Sequence, residues 1–195
     1  MALQPSARER LLDAAENLAA TQGVASTPVD TILARAQVSP ATLYAHFGNK
    51  EGLIVQALQR RLSRWDGIWQ ECVDEARTPE DRVLAVFDAL ASHRRTLTPS
   101  RWCVFLGVAA ESPLRGRDLD ETLTSDTRLL THRLGELAEP LVGAERAGPV
   151  AGQLVLIYTG VLGMILRGAD ADSAIADGRE IASITLRELS APSRT

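Results

Sequence analysis

Apolar residues recur at three- and four-residue intervals along almost the whole chain, the rhythm of helices with one buried face, and no segment carries the two-residue alternation of a strand. The first stripe is Leu11, Ala15, Leu18 and Ala19, opened by Ser6 and Glu9 as a capping box and ended by Gly23. A second, Val29, Ile32, Leu33 and Ala36, follows Thr27 as N-cap and Pro28 as first helical residue. A third is short: Ser39 caps, Pro40 begins, and Leu43 and Phe47 share one face before Gly48 stops it. A long helix runs from Asn49 to about Ala76 on Leu53, Ala57 (or Leu58), Leu62, Trp65 and Trp69. Another starts at Thr78-Pro79 on Val83, Val86 and Leu90. Trp102 to Ala110 is apolar on every side and belongs in an interior. Arg117 to Ala138 is amphipathic and is expected to stop before Pro140. Gly143 to Pro149 reads as a loop, Val150 to Arg167 as a strongly apolar helix, and Ser173 to Leu189 as the last. The expected fold is all-α, with about nine helices.

The segment from Thr27 to Lys50 carries the chemistry. A helix of two turns buries one stripe, here Leu43 and Phe47. Its remaining face holds small residues, Pro40, Ala41 and Ala45, and hydrogen-bonding ones, Thr42, Tyr44 and His46. Small residues let a helix approach a surface closely, and hydroxyls and imidazoles hold phosphate oxygens. Those are the requirements of a recognition helix in a DNA major groove. The competing reading is a surface helical hairpin with an accidental polar face.

From Arg8 to Leu53 the chain resembles the DNA-binding domain of the tetracycline-repressor (TetR) family of bacterial regulators. The resemblance rests on Leu11-Leu12, Ala14-Ala15 and Leu18, then Gly23, Thr27, Val29 and Ile32. It continues through Ala36, Val38-Ser39, Thr42-Leu43-Tyr44, His46-Phe47, Asn49-Lys50-Glu51 and Leu53. It implies a three-helix helix-turn-helix domain over 1–52 and a helical effector-binding and dimerisation domain over 53–195. It further implies that Pro40, Ala41, Thr42 and Ala45 face DNA bases, and that Thr27, Tyr44, His46 and Lys50 hold phosphates. Gln37 stands where the family usually has glycine, so either it accepts a left-handed backbone or the turn is rebuilt. The family's usual alanine after the helix-2 isoleucine is replaced by Leu33.

Charge qualifies this picture. The chain of 195 residues carries a net charge of −4, which is not that of a non-specific nucleic-acid coat. Over 1–52, Arg8, Arg10, Arg35 and Lys50 face Glu9, Asp13, Glu16, Asp30 and Glu51. Binding to DNA must use a local surface, with Arg60, Arg61 and Arg64 close behind in sequence. Lys50 is the only lysine in the chain.

In the second domain, Trp65, Trp69, His93, Trp102, Cys103, Phe105 and Tyr158 are candidate walls of a ligand pocket, each with an ordinary packing role as its alternative. That a small-molecule effector binds at all is what the resemblance implies. Leu156, Gly160, Val161, Gly163, Met164, Ile181, Ile184 and Leu189 offer more apolar or closely approachable surface than one small domain needs. The resemblance makes them the face of a homodimer, which would place two recognition helices one DNA turn apart on a palindromic operator. Cys72 and Cys103 have no metal spacing, and a reducing cytoplasm is the simplest account of them. The N-terminus lacks the apolar core of a signal peptide. The run Leu154 to Leu166 reads as too short to span a bilayer, so no membrane partner is expected. No catalytic signature, metal cluster or cofactor motif is found. Two alternatives stand beside the ligand-released repressor. One is a redox-sensing regulator using Cys103 or Cys72. The other is a helical small-molecule-binding protein or enzyme whose helix-turn-helix is vestigial.

Overall fold

The computed structural model describes residues 5–24, 26–96, 103–111 and 116–190. Among them are nine helices and no strand: α1 (Ala7–Gln22), α2 (Val29–Ala36), α3 (Pro40–Phe47), α4 (Lys50–Glu75), α5 (Pro79–Thr96), α6 (Val104–Glu111), α7 (Arg117–Val142), α8 (Ala144–Leu166) and α9 (Ala171–Ser190). They form two compact units, one of residues 1–64 and 98–126, the other of 65–97 and 127–195. The units therefore do not divide at 52/53. Ile54, Val55, Ala57 and Leu58 of α4 are buried in the same core as the helix-turn-helix, together with Val104, Phe105 and Val108 of α6. The stripe Leu53, Ala57 and Leu58 that marked a continuous long helix is also what binds its first half to α1–α3.

In the first unit, Leu11, Ile32, Leu43 and Leu53 are fully buried, each contributing about 1.5–3 kcal/mol of hydrophobic stabilisation. The capping box holds as expected: Ser6 Oγ accepts from the Glu9 amide at 3.2 Å, and Glu9 accepts from the Ser6 amide at 2.7 Å. Helix α2 begins differently from the sequence expectation. Pro28 is its N-cap and Val29 its first residue. The Thr27 hydroxyl turns back to donate to the Gly23 carbonyl at 2.6 Å. The Thr27 side chain thus closes the preceding turn, and Pro28, which has no polar side chain, stands at the N-cap.

Gln37 takes the left-handed backbone, φ 53 and ψ 52, and its amide closes α2 on Ala34 and Leu33. The turn is kept and the strain accepted. We expect Gln37→Gly to stabilise the protein by about 1 kcal/mol, a rise of about 2–4 °C in Tm at this size. A fall in Tm on calorimetry would mean that the Gln37 side chain holds the turn.

In the second unit, α9 packs against both α5 and α8. Gly178 permits a close approach: a Cβ there would collide with Val161 and lie 3.2 Å from the Phe87 ring. Charged pairs bind the same faces. Ser183 donates to Glu80 at 2.6 Å, Arg187 reaches Glu80 at 3.2 Å, and Arg179 lies 3.6 Å from Asp81 and 3.4 Å from Asp88.

Three helix limits differ from the sequence reading. Helix α7 runs through Pro140 to Val142, and α8 starts at Ala144 with Pro149 inside it. Pro140 falls in the final turn, where little helix remains to be disrupted. At Pro149 the burial of Ala147, Val150 and Ala151 offsets the lost backbone bond. The extension makes α8 long and apolar enough, by length and composition alone, to cross a membrane. This corrects the shorter run read from sequence. Its buried stripe of Leu154, Tyr158, Val161 and Ile165 packs inside the second unit, and a core helix meets the same criterion.

Candidate nucleic-acid interface

Helix α3 is fixed by its two ends and one face. Ser39 Oγ accepts from the Thr42 amide at 3.3 Å, Pro40 opens the helix, and Gly48 ends it at φ 73 with its amide on Tyr44. Leu43 and Phe47 anchor it in the core. Pro40, Ala41, Ala45, Tyr44 and His46 are left exposed, and Thr42 is half-buried. Tyr44 is 57% exposed. This face is narrow, shallow and bordered by hydrogen-bonding groups, as close approach to base edges and phosphates demands.

Two of the phosphate assignments change. Thr27 is only 2% exposed, with its hydroxyl engaged on Gly23, so its side chain is not presented for a phosphate. Lys50 is half-buried, and its Nζ donates to the Val24 carbonyl at 3.0 Å. Burial lowers its pKa, while the Glu111 carboxylate acts in the opposite sense. In the free protein Lys50 supports the turn after α1. Tyr44 and His46 remain outward.

The arginines that follow in sequence do not enrich this surface. Arg60 contacts Glu16 at 2.5 Å and Asp13 at 2.6 Å, and Arg64 contacts Glu16 at 2.8 Å. These pairs join α4 to α1. Arg10 donates to the Ala36 carbonyl at 2.9 Å and so ties α1 to the end of α2. Arg8 bonds Gln56 at 2.5 Å and lies 5.7 Å from the centre of the Phe47 ring. Arg35 stands exposed in the last turn of α2. The cations nearest the motif thus mainly assemble it. Sequence reasoning missed this because the i,i+4 rule finds partners within a helix, whereas these pairs join residues far apart in sequence.

The proposed pocket residues separate. Trp65 meets Trp69, His93 and Tyr158 at ring-centre distances of 6.0, 5.5 and 6.1 Å, and Tyr158 meets Phe87 at 6.3 Å. Arg133 stacks 4.9 Å over Trp69 and pairs with Asp66 at 2.7 Å. The buried indole Nε1 of Trp69 has no hydrogen-bond acceptor among the described residues. Phe87, Arg133 and Asp66 were not picked out from sequence; the Arg133 to Asp66 pairing has no local signal. Cys103 and Phe105 do not belong to this cluster. They pack with the core of the first unit, because α6 buries its apolar face there. Trp102 lies outside the described residues.

Neither cysteine sits where a thiolate is favoured. Burial pushes the Cys103 thiol up, although the Leu106 and Phe105 amides partly oppose this. Burial and then Asp88, Glu75 and Glu71 push up Cys72. Oxidant-sensing thiols are favoured by a depressed pKa; both thiols here are shifted in the opposite direction.

On α8 and α9, Leu156 is 74% exposed, Ile181 and Ile184 53%, and Met164 51%. Gly160 is exposed, and Gly163 and Leu189 are intermediate. Val161 departs from the expected face: it is buried, on the side of α8 that Gly178 of α9 approaches.

Comparison with known proteins agrees with the geometry of the first three helices. The profile of bacterial regulatory proteins, tetR family, matches residues 11–57. The chain is 28% identical over 174 residues to the HTH-type transcriptional regulator BetI of Brucella anthropi, a match covering 88% of each chain. It is 29% identical over 112 residues to the BetI of Rhizobium meliloti, covering 56% of this chain and 55% of that one. Among solved structures, a TetR-family transcriptional regulator from Streptomyces coelicolor superposes with a TM-score of 0.86 at 24% identity, over 95% of this chain and 96% of that one. A TetR transcriptional regulator from Legionella pneumophila does so at 0.81 and 18%, over 95% and 99%. These two structures speak for the fold alone. With a tetR-family profile matched over residues 11–57, an exposed face on α3 and similarity to transcriptional regulators along most of its length, this chain carries a TetR-type helix-turn-helix on an all-α fold shared with TetR-family regulators.

Proposed function

We propose that the protein is a repressor that binds a palindromic operator as a homodimer and leaves it when a small molecule enters the second unit. The observation that supports this reading is the presence of two exposed faces, one closely approachable and edged by hydrogen-bonding groups, the other apolar. One is the α3 face of Pro40, Ala41, Tyr44 and Ala45. The other is the apolar stripe of Leu156, Met164, Ile181 and Ile184. One short helix reads too few base pairs to be selective. A symmetric pair reads two half-sites, about 34–36 Å apart when they lie one helical turn apart.

In this reading Pro40, Ala41 and Ala45 fit against base edges and thymine methyls, and Thr42 is shared between bases and backbone. Tyr44 and His46 hold phosphates. The partner's α8 and α9 cover the second face, with Gly160 and Gly163 allowing close approach: a Cβ at either would meet nothing within 4 Å in this chain. The effector sits beside Trp65, Trp69, His93 and Tyr158, where the buried indole N–H of Trp69 awaits an acceptor. Ligand binding favours a dimer whose recognition helices no longer match one DNA face, and the coupling equals its difference in affinity for the two states. Helix α4 runs from the end of the helix-turn-helix into the second unit and is the continuous path for that change.

Selection of bound sites from random duplex DNA tests the reading. The expected product is a palindrome with half-sites about one helical turn apart. Enrichment of no sequence, by protein stripped of small molecules, would refute it.

A further inference from the structure

Two tight contacts tie later parts of the chain to the helix-turn-helix: the Glu111 carboxylate against Gly23, and Gly116 against the Glu51 carboxylate. Glu111 closes α6. Its carboxylate lies so close to Gly23 that a methyl group there would collide with it. Lys50 opens α4, directly after the recognition helix and its Gly48-Asn49 stop, and donates to the carbonyl of Val24, the next residue after Gly23. Ammonium and carboxylate thus converge on the turn that joins α1 to α2. Their charges interact: Glu111 raises the lysine's proton affinity against the effect of burial. Helix α6 is held in this place by Val104, Phe105 and Val108, which are buried in the same core. A second contact lies beside the first. Gly116, just before α7, packs against the Glu51 carboxylate as tightly as Gly23 does against Glu111.

A phosphate oxygen approaching the start of α4 would compete with Glu111 for the same ammonium. We propose that Glu111 is a positioning residue that withholds Lys50 from DNA: it keeps the ammonium at the Gly23–Val24 turn, and full contact with DNA requires Lys50 to exchange this carboxylate for a phosphate. The place of α6 then sets how readily the lysine is released. The inference rests on the DNA-binding reading above and deepens it, since it names a residue outside the helix-turn-helix that tunes the contact.

The test is fluorescence anisotropy with a mixed-sequence DNA duplex over a series of KCl concentrations, using the full chain. Glu111→Gln keeps the shape of the side chain and removes its charge. It should bind about 5- to 10-fold tighter near 0.1 M salt, with a salt slope steeper by up to about 0.9, the contribution of one additional counterion released. Glu111→Asp, which keeps the charge, should remain near wild type. In a Lys50→Met background, Glu111→Gln should have no effect, because the ammonium it restrains is gone. Unchanged or weaker binding by Glu111→Gln overturns the proposal. So does an equal gain with and without Lys50, which would mean a general change in field. If wild type and all variants fail to bind DNA even at the lowest salt, the DNA-binding reading itself fails, and the proposal with it.

Discussion

Ala41→Glu and Ala45→Glu should each reduce operator affinity by more than about 100-fold while leaving the melting temperature almost unchanged. Both alanines are exposed on α3, so the fold gains no buried charge. The exchange of alanine for glutamate in a helix costs only a few tenths of a kcal/mol, roughly 0.4 at most. In the complex the same carboxylate would stand among phosphates and base acceptors, and like charges forced together at an interface cost several kcal/mol. Isothermal titration or anisotropy with the selected operator measures the loss, and calorimetry checks the fold. Retention of affinity in both variants would mean that another face of the unit meets DNA. Equivalent substitutions at Leu43 or Phe47 are not informative, because those side chains hold α3 in the core.

Leu156→Glu combined with Ile184→Glu should convert the protein from dimer to monomer at micromolar concentration, as measured by light scattering. Both side chains are more than half exposed in the single chain, so the monomer fold should survive, with unaltered helicity. In a dimer each glutamate would be taken out of water without a cation, at several kcal/mol per group. Loss of the dimer also removes the link between two half-site contacts. The second contact is then no longer intramolecular, and operator affinity should fall by about 10²- to 10⁴-fold. A double variant that stays dimeric would place the interface elsewhere. One that becomes monomeric and keeps full operator affinity would remove the two-half-site reading.

The contrast between Lys50 and Tyr44 shows where local reading succeeds and fails. Both were assigned to phosphate from one motif. Tyr44 is outward because Leu43 and Phe47 must be inward on a two-turn helix, a constraint contained within eight residues. Lys50 has no such constraint. Its position depends on Val24 and on Glu111, and the second is a residue of α6 that no spacing rule connects to it. Thr27 fails similarly: its type suits an N-cap, but a preceding carbonyl at Gly23 captures the hydroxyl.

By itself, the sequence determined the all-α class, the stripes of most helices and the three-helix motif with its outward α3 face. It did so because helical periodicity, caps and glycine stops act over one or two turns. It also marked Leu156, Met164, Ile181 and Ile184 among the exposed apolar residues of α8 and α9, but not Leu166. Only the tertiary structure decided that α6 and the start of α7 join the DNA-binding unit, that Cys103 and Phe105 leave the aromatic cluster, and that Arg60, Arg64 and Lys50 are engaged inside the fold. Those outcomes depend on which apolar faces meet and which charges then come within reach. Such pairings join residues tens of positions apart, and no local pattern encodes the partner.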